Sequence, residues 1–252
     1  MNTAPNLNSH SLFKMFRAAA LVALALGSFA AQAATIDVVV PATTDIWLAG
    51  QPNLSTVSGY FGTDTAPANS PIPVSVNGGD VLTFSATDSA GGVSVDDSCF
   101  DTNADAGACY SDEYSFSSGP ANGISLAHLP ADALVGVFVA AGGPSGPTPA
   151  ALDFTGPGGY SFLTLSPYLD QLFFIGDGLT GTGTGSAQQF IAPAGTATLY
   201  LAVADSVGSS VGNLGSINAQ VNDLGPVPEP GAFSLLGAGL LALLTLRRKA
   251  GR

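Results

Sequence analysis

Apolar residues in this chain fall into two kinds of run. Two are long and free of charge: Ala18 to Ala30 near the start and Ala232 to Leu246 near the end. Between them helical periodicity is nearly absent, and short β-branched and aromatic runs are separated by Gly, Pro, Asn and Asp. These runs are Ile36 to Val40, Val74 to Val76, Val81 to Ala86, Ala133 to Ala140, Leu172 to Ile175, Phe190-Ile191, Thr196 to Ala204 and Ser216 to Val221. Each has the length and composition of a strand. The pattern therefore predicts an all-β domain, an antiparallel β-sandwich or jelly roll. Asn77-Gly78-Gly79-Asp80 predicts a hairpin or tight turn ahead of Val81. Gly142 to Pro149 and Gly178 to Gly185 read as low-complexity loops, and Leu224-Gly225-Pro226 as a linker.

The two long runs have different flanks. Lys14 and Arg17 precede the first, and Ala31-Gln32-Ala33 follows it with the small-x-small pattern that signal peptidase requires, which places cleavage before Ala34. A permanent N-terminal span is the weaker alternative, because the run is about 13 residues where a span needs roughly 20. Pro228-Glu229-Pro230 precedes the second run. Two prolines around a carboxylate continue neither helix nor ladder, so this is a stiff, exposed segment that a partner can read. As a helix, Ala232 to Leu246 is about 22 Å long against roughly 30 Å of hydrocarbon, short for a permanent anchor. Arg247, Arg248, Lys249 and Arg252 after it suit the cytoplasmic side, which leaves everything before Pro228 outside the cytoplasm. A buried core helix with a basic tail is the plainer alternative.

Val227-Pro228-Glu229-Pro230, the short apolar helix and the Arg247-Arg248-Lys249 cluster resemble, in that order, the bacterial PEP-CTERM protein-sorting tail. The resemblance implies recognition by an exosortase, a membrane transpeptidase that cuts near the Pro-Glu-Pro and passes the protein to a surface or extracellular acceptor. The expected organisation is a signal peptide at 1–33, an ectodomain at 34–222, a linker at 223–226 and a sorting tail at 227–252 with a membrane helix at 232–246. The expected location is the cell surface or the extracellular space, after export through the inner membrane and transient anchoring.

Charge is distributed as unevenly as hydropathy. The chain has 6 Lys and Arg against 18 Asp and Glu, a net charge of −12. All the basic residues lie in the two terminal segments, so Ala34 to Pro228 contains no Lys or Arg. A domain of that sign repels nucleic acid and anionic lipid and has no bidentate grip on phosphate. Its natural counter-ligands are cations, calcium above all. The plainer reading is that acidity keeps an exported protein soluble. Cys99 and Cys109 both fall in the exported part, where an oxidising compartment favours a disulfide.

One acidic loop has metal-ligand spacing. Asp101-x-Asn103-x-Asp105 offers alternating oxygen donors, and Asp112, with Glu113 beside it, stands where a closing acid is expected. The cysteine pair would hold the curl. A solvated acidic loop is the alternative, and without flanking helices this is not an EF-hand. Catalytic signatures are missing: His128 has no G-x-S-x-G serine to serve, and Gly181 to Gly185 is followed by no Lys. The domain is expected to be non-catalytic, although paired carboxylates of a secreted glycoside hydrolase cannot be recognised by spacing in sequence. Trp47, Tyr60, Tyr110, Tyr114, Tyr160 and Tyr168 are candidate sugar-stacking rings.

Gly79 to Phe84, Ala133 to Gly136, Phe190 to Gly195, and Leu199 to Asp205 followed by Asn213-Leu214-Gly215-Ser216 resemble the calcium-dependent galactose-binding lectins of the PA-IL type. The resemblance implies a calcium site with Asp205 as carboxylate ligand, Ser209 as carbonyl ligand and Asn213 as side-chain ligand, completed by sugar hydroxyls. Two positions depart from the family: Gly212 replaces an asparagine ligand, and Gly92 falls near the tyrosine that touches sugar. The sequence thus points to an exported, exosortase-sorted protein that binds extracellular polysaccharide or sugar with calcium. The alternative is a structural matrix protein of exopolysaccharide or biofilm without a specific ligand.

Overall fold

In the computed structural model the described residues are 33–59, 62–63, 69–95, 97–109 and 120–226, with position 239. They form strands β1 (Ala34–Pro41), β2 (Ser58–Gly59), β3 (Gly62–Thr63), β4 (Ile72–Ser75), β5 (Asp80–Asp88), β6 (Ala127–His128), β7 (Leu134–Ala140), β8 (Leu152–Asp153), β9 (Thr164–Leu165), β10 (Leu172–Phe174), β11 (Leu179–Gly181), β12 (Thr184–Ala187), β13 (Gln189–Ile191), β14 (Thr196–Val203) and β15 (Ser216–Pro226). Short 3-10 turns occupy Ile46–Leu48 and Ser210–Gly212. The protein is all-β, as the punctuated apolar runs predict.

Alternation sets which face each strand buries. In β15, Ile217, Ala219 and Val221 are buried while Asn218 and Gln220 face solvent. In β5, Leu82, Phe84 and Ala86 point inward and Ser85 and Thr87 outward. The middle strand β7 is instead buried along nearly its whole length, which a run as apolar as Leu134 to Ala140 tolerates. One sheet has the order β1-β15-β5-β13-β9 and the other β10-β7-β14-β4. Most pairs are antiparallel, but β13–β9 and the separate pair β6–β8 are parallel.

Among the described residues one apolar cluster joins the sheets. Phe190 of the first sheet lies 5.6 Å from Phe173 of the second and 5.1 Å from Phe84, with Phe138 stacked 5.0 Å from Phe173. Burying a large apolar side chain contributes about 1.5–3 kcal/mol, so this aromatic seam is a principal tie between layers. Trp47 is 2 % exposed and belongs to the same core, so it is not available for stacking on a sugar. Asn77 to Asp80 makes a tight turn that carries the chain from β4 in one sheet to β5 in the other, with Asp80 Oδ2 accepting from Asn77 N at 2.7 Å. A Cβ on Gly78 would sit 2.8 Å from Gly195 N, so the corner closes only around glycine.

Two expectations need correction. Gly178 to Gly185 is no loop: it forms most of the β11–β12 hairpin, because glycine and threonine there pair across a short turn. Asp223 to Pro226 is no linker: β15 runs to Pro226, which pairs with Asp80 after a register shift. The ordered sheet therefore extends to the edge of the sorting tail. The expected signal helix and the membrane helix at 232–246 lie outside the described residues, apart from Gly239. Among the described residues, no helix is long and apolar enough to cross a membrane.

Candidate functional site

Four features bear on function, and they occupy different parts of the domain. The first is the junction with the tail. Asp223 Oδ1 accepts from Gly225 N at 2.7 Å, and burial pushes the Asp223 carboxyl above its usual range. The ladder thus holds the chain until Pro226, one residue before the sorting handle. Val227, Pro228, Glu229, Pro230, Arg247, Arg248 and Lys249 lie outside the described residues.

The second feature is an acidic corner beside the disulfide. Segment Val93-Ser94 is its scaffold: Val93 exchanges both backbone hydrogen bonds with Asp101, at 2.8 and 2.9 Å, and Ser94 exchanges both with Leu214, at 3.0 and 2.8 Å. A side chain on Gly92 would collide with the Asp101 carbonyl, so only glycine lets the strands approach. Asp101 is 1 % exposed, and its Oδ1 accepts from Ala108 N at 2.9 Å. Asp132, in the turn two residues before β7, has φ 69° and is fully buried. It is held where its N–H meets Ala204 O at 2.9 Å and the nearby Leu134 N–H meets Ala104 O at 3.0 Å.

These contacts draw carboxylates together. Ligand atoms of Asp101, Asp132 and Cys109 lie within 4.8 Å of one another. Cys109 is bonded to Cys99 with Cα atoms 5.6 Å apart, so its sulfur is no thiolate ligand. Asp88, at the end of β5, adds a further carboxylate. Burial pushes its pKa up to about 7, with the charges of Asp101 and Asp105 acting in the same direction. The residue as a whole is half-buried, but both its carboxylate oxygens are shut off from solvent and make no hydrogen bond. Asp105 is raised as well, chiefly by burial, with its bond from Asp177 N (2.7 Å) opposing the shift. Asn103 Oδ1 accepts from Asp105 N at 3.1 Å and so shapes the loop. Asp112 lies outside the described residues.

The third feature is the Asp205 corner. Asp205 Oδ1 accepts from Ser206 N at 2.6 Å and Oδ2 from Asn213 Nδ2 at 2.9 Å, while the same Asn213 amide donates to Ala42 O at 3.2 Å. Asp45 Oδ1 accepts from Trp47 N at 2.9 Å and Oδ2 from Gly208 N at 3.3 Å. Asp205 and Asn213 are thus brought together, but Asn213 turns its NH₂ toward Asp205, and both are buried. Ser209 sits beside them with a hydroxyl that makes no hydrogen bond. In this arrangement a sugar hydroxyl meets neither the carboxylate nor the amide, unlike the open calcium site that the lectin resemblance implies.

The fourth feature is the outer face of β1, β15 and β5. Register lines up Thr35–Asn222–Thr83, Asp37–Gln220–Ser85 and Val39–Asn218–Thr87 as cross-strand rows. Thr35 Oγ1 donates to Asn222 Oδ1 at 2.8 Å, and Gln220 Nε2 to Asp37 Oδ1 at 3.0 Å. An open groove of about 380 Å³ runs here. Its lining combines the hydroxyls of Ser85 and Thr87 and the amides of Asn218 and Gln220 with the Asp37 carboxylate and the exposed methyls of Val39.

Comparison with known proteins adds to the tail alone. Residues 226–249 match the PEP-CTERM protein-sorting motif. The motif makes this an exported exosortase substrate, anchored transiently in the membrane before release at the cell surface. No curated protein and no solved structure matches the chain.

Sequence reasoning missed Asp88, Asp132 and the outer face. Asp88 has a faint signal, an acid closing a strand. Asp132 has none, because its partner Asp101 is distant along the chain. The face was legible as the polar half of each alternation, but its rows depend on which strands become neighbours.

Proposed function

We propose that the exported domain binds extracellular polysaccharide without catalysing a reaction, with calcium as counter-ion for its acidic loops. The observation that supports this reading is the open polar face of β1, β15 and β5. Neutral amides and hydroxyls in register can exchange hydrogen bonds with sugar hydroxyls along a strand-wise path, and Val39 can meet the apolar face of a ring. A domain with no Lys or Arg favours a neutral or cation-bridged glycan over an anionic one. Delivery by exosortase brings the domain to where such glycans are.

The test is a pull-down on extracellular polysaccharide with the protein from exporting cells and its Asn218→Ala/Gln220→Ala variant. Retention of wild type and loss of the variant are expected, with unchanged melting. Equal retention of both sinks the reading, as does turnover of a chromogenic glycoside.

A second reading, a structural matrix block without a specific ligand, is favoured by the absence of any aromatic ring among the groove's lining residues. It predicts that wild type binds no glycan. The tail is tested apart, since Glu229→Ala is expected to leave full-length protein in the inner membrane, and normal release of that variant would overturn the role of the handle.

A further inference from the structure

The sorting motif and the folded sheet share a residue. The motif matches residues 226–249, and β15 runs to Pro226, which pairs with Asp80 of β5. More than the ladder holds this strand end. Asp223 Oδ1 accepts from Gly225 N at 2.7 Å, and Gly225, with φ 75°, supplies the left-handed backbone at the register shift between Asp223 and Pro226. Gly225 is buried, and a Cβ added to Gly79 would touch the Pro226 ring at 3.8 Å. Across the sheet, Asp80 Oδ2 accepts from both the backbone N and the Nδ2 of Asn77, at 2.7 and 3.2 Å. The residue that pairs with Pro226 is therefore itself fixed by a turn.

Only Val227 and Pro228 separate Pro226 from Glu229. At no more than about 3.6 Å per residue, the glutamate of the handle lies within about 11 Å of the last paired residue. An enzyme that reads an extended segment lays it in a cleft, with main-chain hydrogen bonds to several residues in succession. The folded sheet keeps the residues just before the handle out of such a cleft, because the Gly225 N–H is committed to Asp223 and Pro226 to its pairing with Asp80. We propose that the end of β15 is a hold on exosortase processing: Leu224 to Pro226 must leave the sheet before the enzyme engages the handle, so the pairing with Asp80 sets the rate of processing. The unit that opens is small. It gives up the Asp223–Gly225 bond and the Pro226–Asp80 pairing and leaves the ladder from Ala34–Asp223 inward intact. Such a local opening frays a strand end without unfolding the domain.

The inference rests on the sorting motif and is independent of glycan or calcium binding. Its test is a pulse-chase in exporting cells that follows conversion of the full-length chain to the processed form. A Gly-Ser-Gly-Ser insertion between Pro226 and Val227 leaves the sheet and the handle as they are, and is expected to speed conversion about fivefold or more, the factor that one hydrogen bond contributes to a local equilibrium. Asp223→Ala and Asp80→Ala are expected to speed it by a similar factor. Asp80 is the decisive position, since it lies far upstream of the motif and reaches the enzyme only through the sheet. Asp205→Ala, which destabilises the domain elsewhere, is expected to leave conversion unchanged. Conversion at the wild-type rate in the insertion and Asp80→Ala variants would overturn the proposal. So would equal acceleration by Asp205→Ala, which would trace the effect to global stability, or slower conversion with the insertion, which would show that the enzyme uses the folded domain. Glu229→Ala is expected to stop conversion in every background. Conversion that persists there overturns the handle itself, a failure distinct from that of the hold.

Discussion

Two acidic corners flank the same segment, Val93-Ser94, and they solve one problem in opposite ways. On the Leu214 side, Asp205 is met by Ser206 N and Asn213 Nδ2, and Asp45 by Trp47 N and Gly208 N. On the Asp101 side, Asp101 accepts from Ala108 N and Asp105 from Asp177 N, but both carboxylate oxygens of Asp88 make no hydrogen bond. The first corner is complete within the chain, since N–H groups substitute for water around each charge. In the second, Asp88 is left without such a donor, and burial with the charges of Asp101 and Asp105 pushes its pKa up to about 7. Burial of acids is therefore no single signature: the donors around a carboxylate decide whether it stays ionised as a loop tie or is pushed toward its protonated form.

That contrast is most directly broken by mutation. Asp205→Ala would strand the Ser206 N–H and the Asn213 amide, at a cost of about 3 kcal/mol, or a fall in melting temperature of roughly 9 °C, with or without calcium. A fall of less than about 1 kcal/mol would mean that these two hydrogen bonds contribute little to the corner. Next in size is Cys99→Ala/Cys109→Ala, which opens the short loop carrying Asp101 and Asp105. About 2–3 kcal/mol of stability is expected to go, together with much of the calcium response, measured by melting in chelator and in calcium. An intact calcium response in that double variant would separate the disulfide from the acidic corner.

The smallest effect is a pH dependence, and its sign distinguishes the corners. The folded-state pKa of Asp88 is raised from 3.8 to about 7, so the folded protein holds that proton more tightly than the unfolded chain. Its contribution is fully present below about pH 4 and is lost as pH rises toward 7. Asp105, also raised, acts in the same direction. Allowing for solvent screening of a half-buried group, the decline amounts to about 1–2 kcal/mol in calcium-free protein, read from melting between pH 4 and pH 8. Asp88→Asn is expected to remove most of that slope. A stability that instead rises through this window would show that Asp88 is not desolvated.

Much of the fold was legible because its determinants are local. Ile36 to Val40, Val81 to Ala86, Thr196 to Ala204 and Ser216 to Val221 coincide with the bodies of β1, β5, β14 and β15. Period-two alternation and β-branched residues suffice to mark a strand. Reading failed where glycine misled. Gly178 to Gly185 resembles a flexible loop, yet pairing of Leu179 with Ala187 and Gly181 with Thr184 makes it a hairpin. Leu224-Gly225-Pro226 resembles a linker, yet Asp80 across the sheet extends β15 through it.

The sequence by itself determined the class and the address: an all-β exported domain and a sorting tail at 226–249. Both are written in contiguous residues, whose composition and order act without knowledge of the rest of the chain. Only the tertiary structure decided which acids meet. Asp101 and Asp132 converge because Val93 pairs with Asp101 and Ala204 holds Asp132, and these contacts join residues that no local pattern connects. The same holds for the rows of the outer face, where β1, last strand β15 and β5 become neighbours only when the sheet closes. A carboxylate's chemistry depends on the donors and charges within a few ångströms of it, and in this domain those come from other strands.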